Sequence, residues 1–396
     1  MSVETGRLPH LSIGLLGLVT IAAYGTWYYA FGVLLEPLLV DTGWSEGTMA
    51  AVFGVSMAAG ALLGLPAGRY VDRVGCRRAF LLAAVGSTAG LLPASLAATP
   101  LLFALCAVPG AAALQALAFY HVSQSTAVRI APERSARAIA VLTVYGALAS
   151  MIYLPLAAAL VERIGWRATL RVLVLITAAV LVVAAVGVRD RPDAAAAVRR
   201  GPGAVSQVLA TSAARRYAVA VALVGLAVGT VLLYQVPVMV GAGLSAGAAA
   251  WLAGARGVAQ VTGRIPLGWM LDRMEARQAV RLAFAAIAVG IALVAFAGNL
   301  VVAAAYTLVA GFGIGATSPL MGIYADELFD RSSLGESMGL ITMIFGLSTA
   351  FGPALVGVLA EVTGSRRWGL GIAVVAALAA VAAMGPPGSD RRPSLG

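Results

Sequence analysis

The sequence predicts an all-α polytopic membrane protein, with twelve transmembrane helices in two pseudo-symmetric six-helix lobes. Three observations carry that prediction. Of the 396 residues, 61% are hydrophobic and only 11% charged, and mean hydropathy is +0.93; a soluble chain of this length needs far more surface charge. Apolar runs of about 20 residues, the length that crosses a bilayer as helix, recur from Leu11 to Met384. The chain also echoes itself. Pro66, Gly68, Asp72 and Arg73 return as Pro266, Gly268, Asp272 and Arg273, each 200 positions on. A second echo pairs Pro155, Glu162, Gly165 and Arg167 with Pro353, Glu361, Gly364 and Arg366.

The spans follow in order. The first, 11–39, is too long for a signal-peptide core and no small-residue cleavage site follows it, so it is expected to stay as a span. Asp41-Thr42-Gly43-Trp44 closes it. Span two, 48–68, runs into the first charged loop. Spans three and four, 79–98 and 100–127, lead to Pro132-Glu133-Arg134, and spans five and six are 138–160 and 168–188. Segment 189–216 is the one long polar connection, with six arginines and Pro192, Gly201, Pro202 and Gly203. It reads as a flexible linker between an N-terminal lobe, 1–188, and a C-terminal lobe, 217–396. Its arginines attract anionic lipid; a regulatory site is the alternative. Spans seven to twelve are 217–242, 245–270, 279–297, 300–325, 336–361 and 368–385, with Asp330-Arg331-Ser332 between ten and eleven.

All 27 basic residues are arginine, the mark of a GC-rich genome, and a bacterial plasma membrane is the expected location. Most arginines fall in alternate loops. Only Arg163, Arg167, Arg171, Arg366 and Arg367 lie on the opposite side, so both termini are expected in the cytoplasm. This distribution, more than the net charge of +10, speaks against nucleic acid as a partner. Cys76 in a loop, Cys106 in a span and two histidines leave no disulfide framework, metal site or cofactor to expect. No hydrolytic or metal constellation suggests an enzyme. An internally duplicated membrane protein with matched loops points to a two-lobed transporter, expected as a monomer, with a small-molecule substrate and the bilayer as partners.

The stretch from Gly68 through Asp72-Arg73, Gly75 and Arg77-Arg78 resembles the signature loop between spans two and three of the major facilitator superfamily, and its repeat falls between spans eight and nine, where Glu275 replaces the later glycine. Within that superfamily the chain resembles the bacterial monocarboxylate-porter-like branch. The matching residues are Tyr29-Ala30-Phe31-Gly32-Val33, Gly43-Trp44-Ser45, Gly263-Arg264-Ile265-Pro266-Leu267-Gly268 and Ala325-Asp326-Glu327-Leu328-Phe329. The resemblance implies that the loop latches the lobes in one conformation. That role would fall to Gly68, Asp72, Arg73, Gly75 and Arg77, and to Gly268, Asp272 and Arg273 in the second copy; fixing topology alone is the alternative. Gly68 is further expected to let helices approach closely.

Ionisable residues inside a span are costly and functional by default. Arg256, Gln260 and Arg264 follow i, i+4, i+8 in span eight and share one helix stripe. No carboxylate lies at matching depth; Glu36 and Glu361 sit near outer ends. Such a stripe favours an anion, because guanidinium binds carboxylate in a fork. The resemblance assigns the substrate carboxylate to Arg264, with snorkelling to the surface as the alternative. For Arg256 the alternative is a structural bond to carbonyls. His121 could relay protons, a candidate coupling ion, or bond a neighbouring helix. Tyr120, Tyr24, Tyr28 and Tyr29 could line the cavity or anchor at the interface. Tyr234 and Gln235 precede Pro237, a break that exposes backbone or merely kinks. Val33 and Gln260 stand where studied monocarboxylate carriers have a Lys and an Asp, which weakens the case for proton symport of lactate type. The leading expectation is a secondary transporter of a small organic anion, probed against drug or metabolite efflux and against a non-transporting membrane sensor.

Overall fold

The computed structural model describes residues 9–190, 211–329 and 334–385, and they are almost wholly helical. Span one is α1 (His10–Ala23), a π-helical turn (Tyr24–Tyr29) and α2 (Ala30–Thr42). Spans two and three are α3 (Glu46–Val74) and α4 (Cys76–Ala94), and span four is α5 (Pro100–Ala118) with α6 (Tyr120–Ile130). Spans five and six share α7 (Ser135–Gly187). The second half holds α8 (Ser212–Gly241), α9 (Ala246–Arg264), the short α10 (Leu267–Leu271), α11 (Ala276–Ala295), α12 (Leu300–Leu328), α13 (Leu334–Thr363) and α14 (Arg366–Ala383). By length and composition, nine helical stretches among the described residues can cross a membrane, and one of them, Arg137–Gly187, holds two spans. The two spans that fall short of that measure begin with Arg77 and Arg78 (α4) or carry Arg256 and Arg264 among alanine and glycine (α9).

Helix starts follow from side-chain caps. Ser45, Thr99, Thr211, Asn299 and Ser365 each accept a first-turn backbone N–H, which stabilises such an end by about 1 kcal/mol. The second echo is realised in the backbone: Gly165 and Gly364 turn the chain with φ of 72° and 70°, a region that favours glycine. The first echo is realised unequally. Helix α3 runs through Pro66 to Val74 and turns at Gly75, φ 82°. Glu275 stands where the second copy would need that glycine and stays extended, φ −62°. There the helix stops earlier, at Arg264, and the chain turns at Ile265–Pro266. Span eight, expected unbroken over 245–270, is therefore two helices.

The chain divides into two compact units, residues 1–199 with 246–257, and residues 200–245 with 258–396. The first three turns of α9 thus belong with the first unit. Of the linker expected over 189–216, residues 191–210 lie outside the described residues. In the first unit α1 packs on α7, α4 on α5 and α7, and α3 on α5, around buried Leu16, Phe80, Leu114, Leu142 and Leu181. In the second, α11 packs on α12 and α8 on α13 and α14.

Lipid tails are as apolar as leucine, so close packing, more than exclusion of water, joins helices in a membrane. A Cβ built on Gly90 of α4 would lie 2.5 Å from Gly110 Cα of α5; one built on Gly290 of α11 would lie 2.7 Å from Ala310 Cβ of α12. These pairs are again 200 positions apart, so the duplication extends to packing. The close approach expected at Gly68 is a correction: a Cβ there, or at Gly268, would stand in open space, with no atom within 4 Å. Gly90→Leu is expected to destabilise by about 1–3 kcal/mol through overpacking, and Gly68→Leu by less than about 0.5 kcal/mol. Unfolding temperatures of the two purified variants check this ranking.

Candidate functional site

In span one, the π turn is pinned on one side. Gly25 seats the Tyr153 ring, which a Cβ would meet at 2.1 Å. Thr26 Oγ1 hydrogen-bonds Thr177 Oγ1 and the Leu173 carbonyl, and Trp27 Nε1 donates to Ser56 Oγ at 2.8 Å. A π turn inserts an extra residue and recurs at functional sites. Here Tyr24, Tyr28 and Tyr29 leave it as a cluster.

Span four breaks opposite that turn. Phe119 is extended, φ −77° and ψ −177°, between α5 and α6, with neither glycine nor proline beside it. The Ala116 carbonyl, near the end of α5, is met by His121 Nε2 at 2.7 Å, and the Phe119 carbonyl accepts from the Val122 and Ser123 N–H groups. The His121 ring thus meets backbone of its own span and not, as one expectation had it, a neighbouring helix. Gly146 of α7 leaves room for the Tyr120 hydroxyl, which a Cβ there would overlap, and that hydroxyl points at the Thr143 carbonyl, 3.5 Å away. Tyr24 stacks on Phe119 with centroids 3.9 Å apart and lies 5.1 Å from the Tyr120 ring. Tyr28 meets Tyr24 edge-on at 5.6 Å and Tyr29 at 5.0 Å. Tyr24, Tyr28 and Tyr120 are half-buried.

The first turns of α9 complete this unit. Gly254 and Gly257 sit against the α7 backbone at Ala147–Met151, and Ser150 Oγ donates to the Gly254 carbonyl at 3.1 Å. Arg256, between those glycines, is 0% exposed, and Gly257 beside it meets Ala147, the neighbour of the Gly146 that seats the Tyr120 hydroxyl.

Gln260 and Arg264 belong with the second unit and are half-buried. The backbones of α9 and α12 touch there: a Cβ on Gly315 would lie 2.0 Å from the Gln260 carbonyl. Arg264 Nε donates to the Gly315 carbonyl at 3.3 Å. The eight residues from Arg256 to Arg264 span about 12 Å of helix. Tyr234 is buried and its hydroxyl donates to the Pro353 carbonyl at 3.4 Å. Gln235, also buried, accepts from the Tyr306 hydroxyl at 2.6 Å and donates to the Leu232 carbonyl at 3.2 Å. Pro237 leaves α8 unbroken.

At the loop end of the first unit, Asp72 is bound within its own unit. Arg129 Nη1 reaches Asp72 at 3.0 Å, and its Nε and Nη2 grip Asp190 at 3.0 and 2.9 Å. Asp190 also accepts the Cys76 N–H at 2.8 Å, which caps α4. Burial pushes the Asp190 carboxyl upward, but hydrogen bonds from Arg129 and the Cys76 N–H outweigh it and hold the group below the usual carboxylate value. Burial, reinforced by the Asp190 charge, pushes the Cys76 thiol up to about 12. Because the folded-state value of Asp190 is depressed, its contribution to stability is complete above the unfolded carboxylate pKa and disappears as pH falls through the folded one. Thermal stability is expected to hold from pH 7 to about 5 and drop below about 4; Asp190→Asn is expected to be less stable at pH 7 and flatter across that range. Arg73 and Arg77 are exposed.

The second copy is built differently. Asp272 is exposed and forms no ion pair among the described residues, and Arg273 stacks over Trp269 at 4.5 Å. Sequence reading missed Arg129, Asp190, Phe119 and Gly146. Only Arg129 carried a signal, a basic residue in the last turn of span four.

The profile described as Major Facilitator Superfamily matches residues 16–247 and 217–394. No curated protein sequence matches. Among solved structures, the nucleoside transporter NupG is similar with a TM-score of 0.77 at 13% identity, over 95% of this chain and 99% of that one. A bacterial homologue of the human lysosomal transporter Spinster, inward-facing and unoccupied, gives 0.76 at 15%, over 96% and 98%. A D-xylose–proton symporter gives 0.70 at 18%, over 93% and 96%. At these identities the likeness is one of fold.

Proposed function

The chain belongs to the Major Facilitator Superfamily, and on that premise we propose that it moves a small organic anion, a monocarboxylate, across a bacterial plasma membrane by alternating access. The observation that carries this reading is Arg256, a guanidinium with no exposed surface in a membrane span. A full charge at such a site is retained for function far more often than for packing, and carboxylate matches the guanidinium fork. Arg264 supports the reading less directly, since it also ties α9 to the Gly315 carbonyl. Both termini face the cytoplasm in this reading, as the arginine distribution favours.

A thermal-stability panel of monocarboxylates, dicarboxylates, sugars, nucleosides and lipophilic cations tests it. A ligand at a hundredfold its dissociation constant adds about 2.7 kcal/mol. Stabilisation by monocarboxylates alone is the expected result. Stabilisation by nucleosides, sugars or cations, with none by carboxylates, would reject the anion.

A further inference from the structure

Resting on that reading, we propose that the anion carries a planar ring: the substrate class is an aryl carboxylate, its ring on Tyr24, Tyr28, Phe119 and Tyr120 and its carboxylate toward Arg256. Two separate irregularities meet at this place. Span one gives up regular hydrogen bonding over Tyr24–Tyr29, and span four gives it up at Phe119. Neither is forced by proline or by a positive-φ glycine. What the two share is the aromatic cluster, joined by the Tyr24–Phe119 stack. Apolar packing alone would be served by aliphatic side chains on straight helices. Rings at a π turn and a helix break, three of them half-buried, are side chains that a further ring can join.

The polar features fit the same ligand. Aromatic pairs favour offset or edge-on arrangements with centroids about 4.5–7 Å apart, and the Tyr24–Tyr28 and Tyr24–Tyr120 separations of 5.6 and 5.1 Å show that the cluster uses that spacing. Gly257, beside Arg256, packs on Ala147 of α7, the neighbour of the Gly146 that seats the Tyr120 hydroxyl, so the helix turn that carries the charge lies beside the ring cluster. A two- or three-carbon acid would satisfy Arg256 and leave the rings unused. An aryl carboxylate engages both, because a benzoate or phenylacetate skeleton joins a ring and a carboxylate in one small molecule.

The test compares benzoate and phenylacetate with cyclohexanecarboxylate and acetate as stabilisers of the full-length protein in detergent, alongside Tyr28→Leu and Tyr28→Phe. Benzoate or phenylacetate is expected to bind about tenfold more tightly than cyclohexanecarboxylate, which matches it in size and charge but lacks a π face. Tyr28→Phe is expected to keep that preference and Tyr28→Leu to reduce it. Equal affinity for benzoate, phenylacetate and cyclohexanecarboxylate would overturn the ring proposal and leave the anion reading standing. No binding of any carboxylate would overturn both. The wild-type comparison decides the matter even if Tyr28→Leu fails to fold.

Discussion

Arg129→Ala is expected to destabilise the protein by about 3 kcal/mol, the largest loss from any single polar side chain of the first unit. Removing one member of a buried charge pair leaves an uncompensated charge and costs about 3–5 kcal/mol. Asp190 is 3% exposed and Asp72 19%, so both would keep a negative charge with little access to water. Because the guanidinium also bridges α3, α6 and the end of α7 through these carboxylates, its loss uncouples three spans at once. Arg129→Lys is expected to recover only part of the loss, since an ammonium cannot grip Asp190 in a fork and reach Asp72 as well. Asp272→Asn serves as the control: Asp272 is exposed and forms no ion pair among the described residues, and a change within about 0.5 kcal/mol is expected. Chemical or thermal unfolding of the purified variants reads these effects. An Arg129→Ala loss no larger than that of Asp272→Asn would contradict the account of the loop.

Arg256→Met is expected to abolish carboxylate binding while leaving the fold intact. Removing one partner of a buried, hydrogen-bonded charge pair costs a complex about 2–5 kcal/mol. Affinity should therefore fall at least about thirtyfold. The opposite pattern, a protein that unfolds easily but still responds to carboxylate, would mean that Arg256 is a structural bond to its neighbours. Arg264→Gln separates the two arginines. The Arg264 side chain donates to the Gly315 carbonyl beside the closest approach of α9 and α12, so its loss is expected to weaken packing more than binding.

The contrast between fold and site follows from the range of the interactions involved. Apolar runs, charged loops and a 200-residue echo are properties of contiguous sequence, and the helices follow them closely. Gly165 and Gly364 announce their turns because only a few residues tolerate positive φ. The failure of the second copy to repeat the first could also be read from one letter, Glu275 in place of a glycine. The break at Phe119 left no such mark, since the residues around it are ordinary helix formers and the groups that meet them, Tyr24 of the π turn and Gly146 and the Thr143 carbonyl of α7, lie far off in sequence. Asp72 and Arg129 are 57 residues apart, and Arg129 and Asp190 are 61 apart; no local pattern reports such pairs. The grouping of Arg256 with the first unit was equally hidden, because it depends on Gly254 and Gly257 meeting α7 across more than 100 residues of chain.

The most direct test of the central claim is flux. Purified protein in sealed liposomes, preloaded with unlabelled benzoate, is diluted into radiolabelled benzoate, and counterflow is followed for the wild type and Arg256→Met. The account predicts saturable uptake by the wild type, competition by other aryl carboxylates and none by nucleosides or sugars, and no uptake above empty liposomes for the variant. Counterflow of a nucleoside, sugar or cation with none of benzoate or any other carboxylate, or carboxylate binding without any flux, would contradict it.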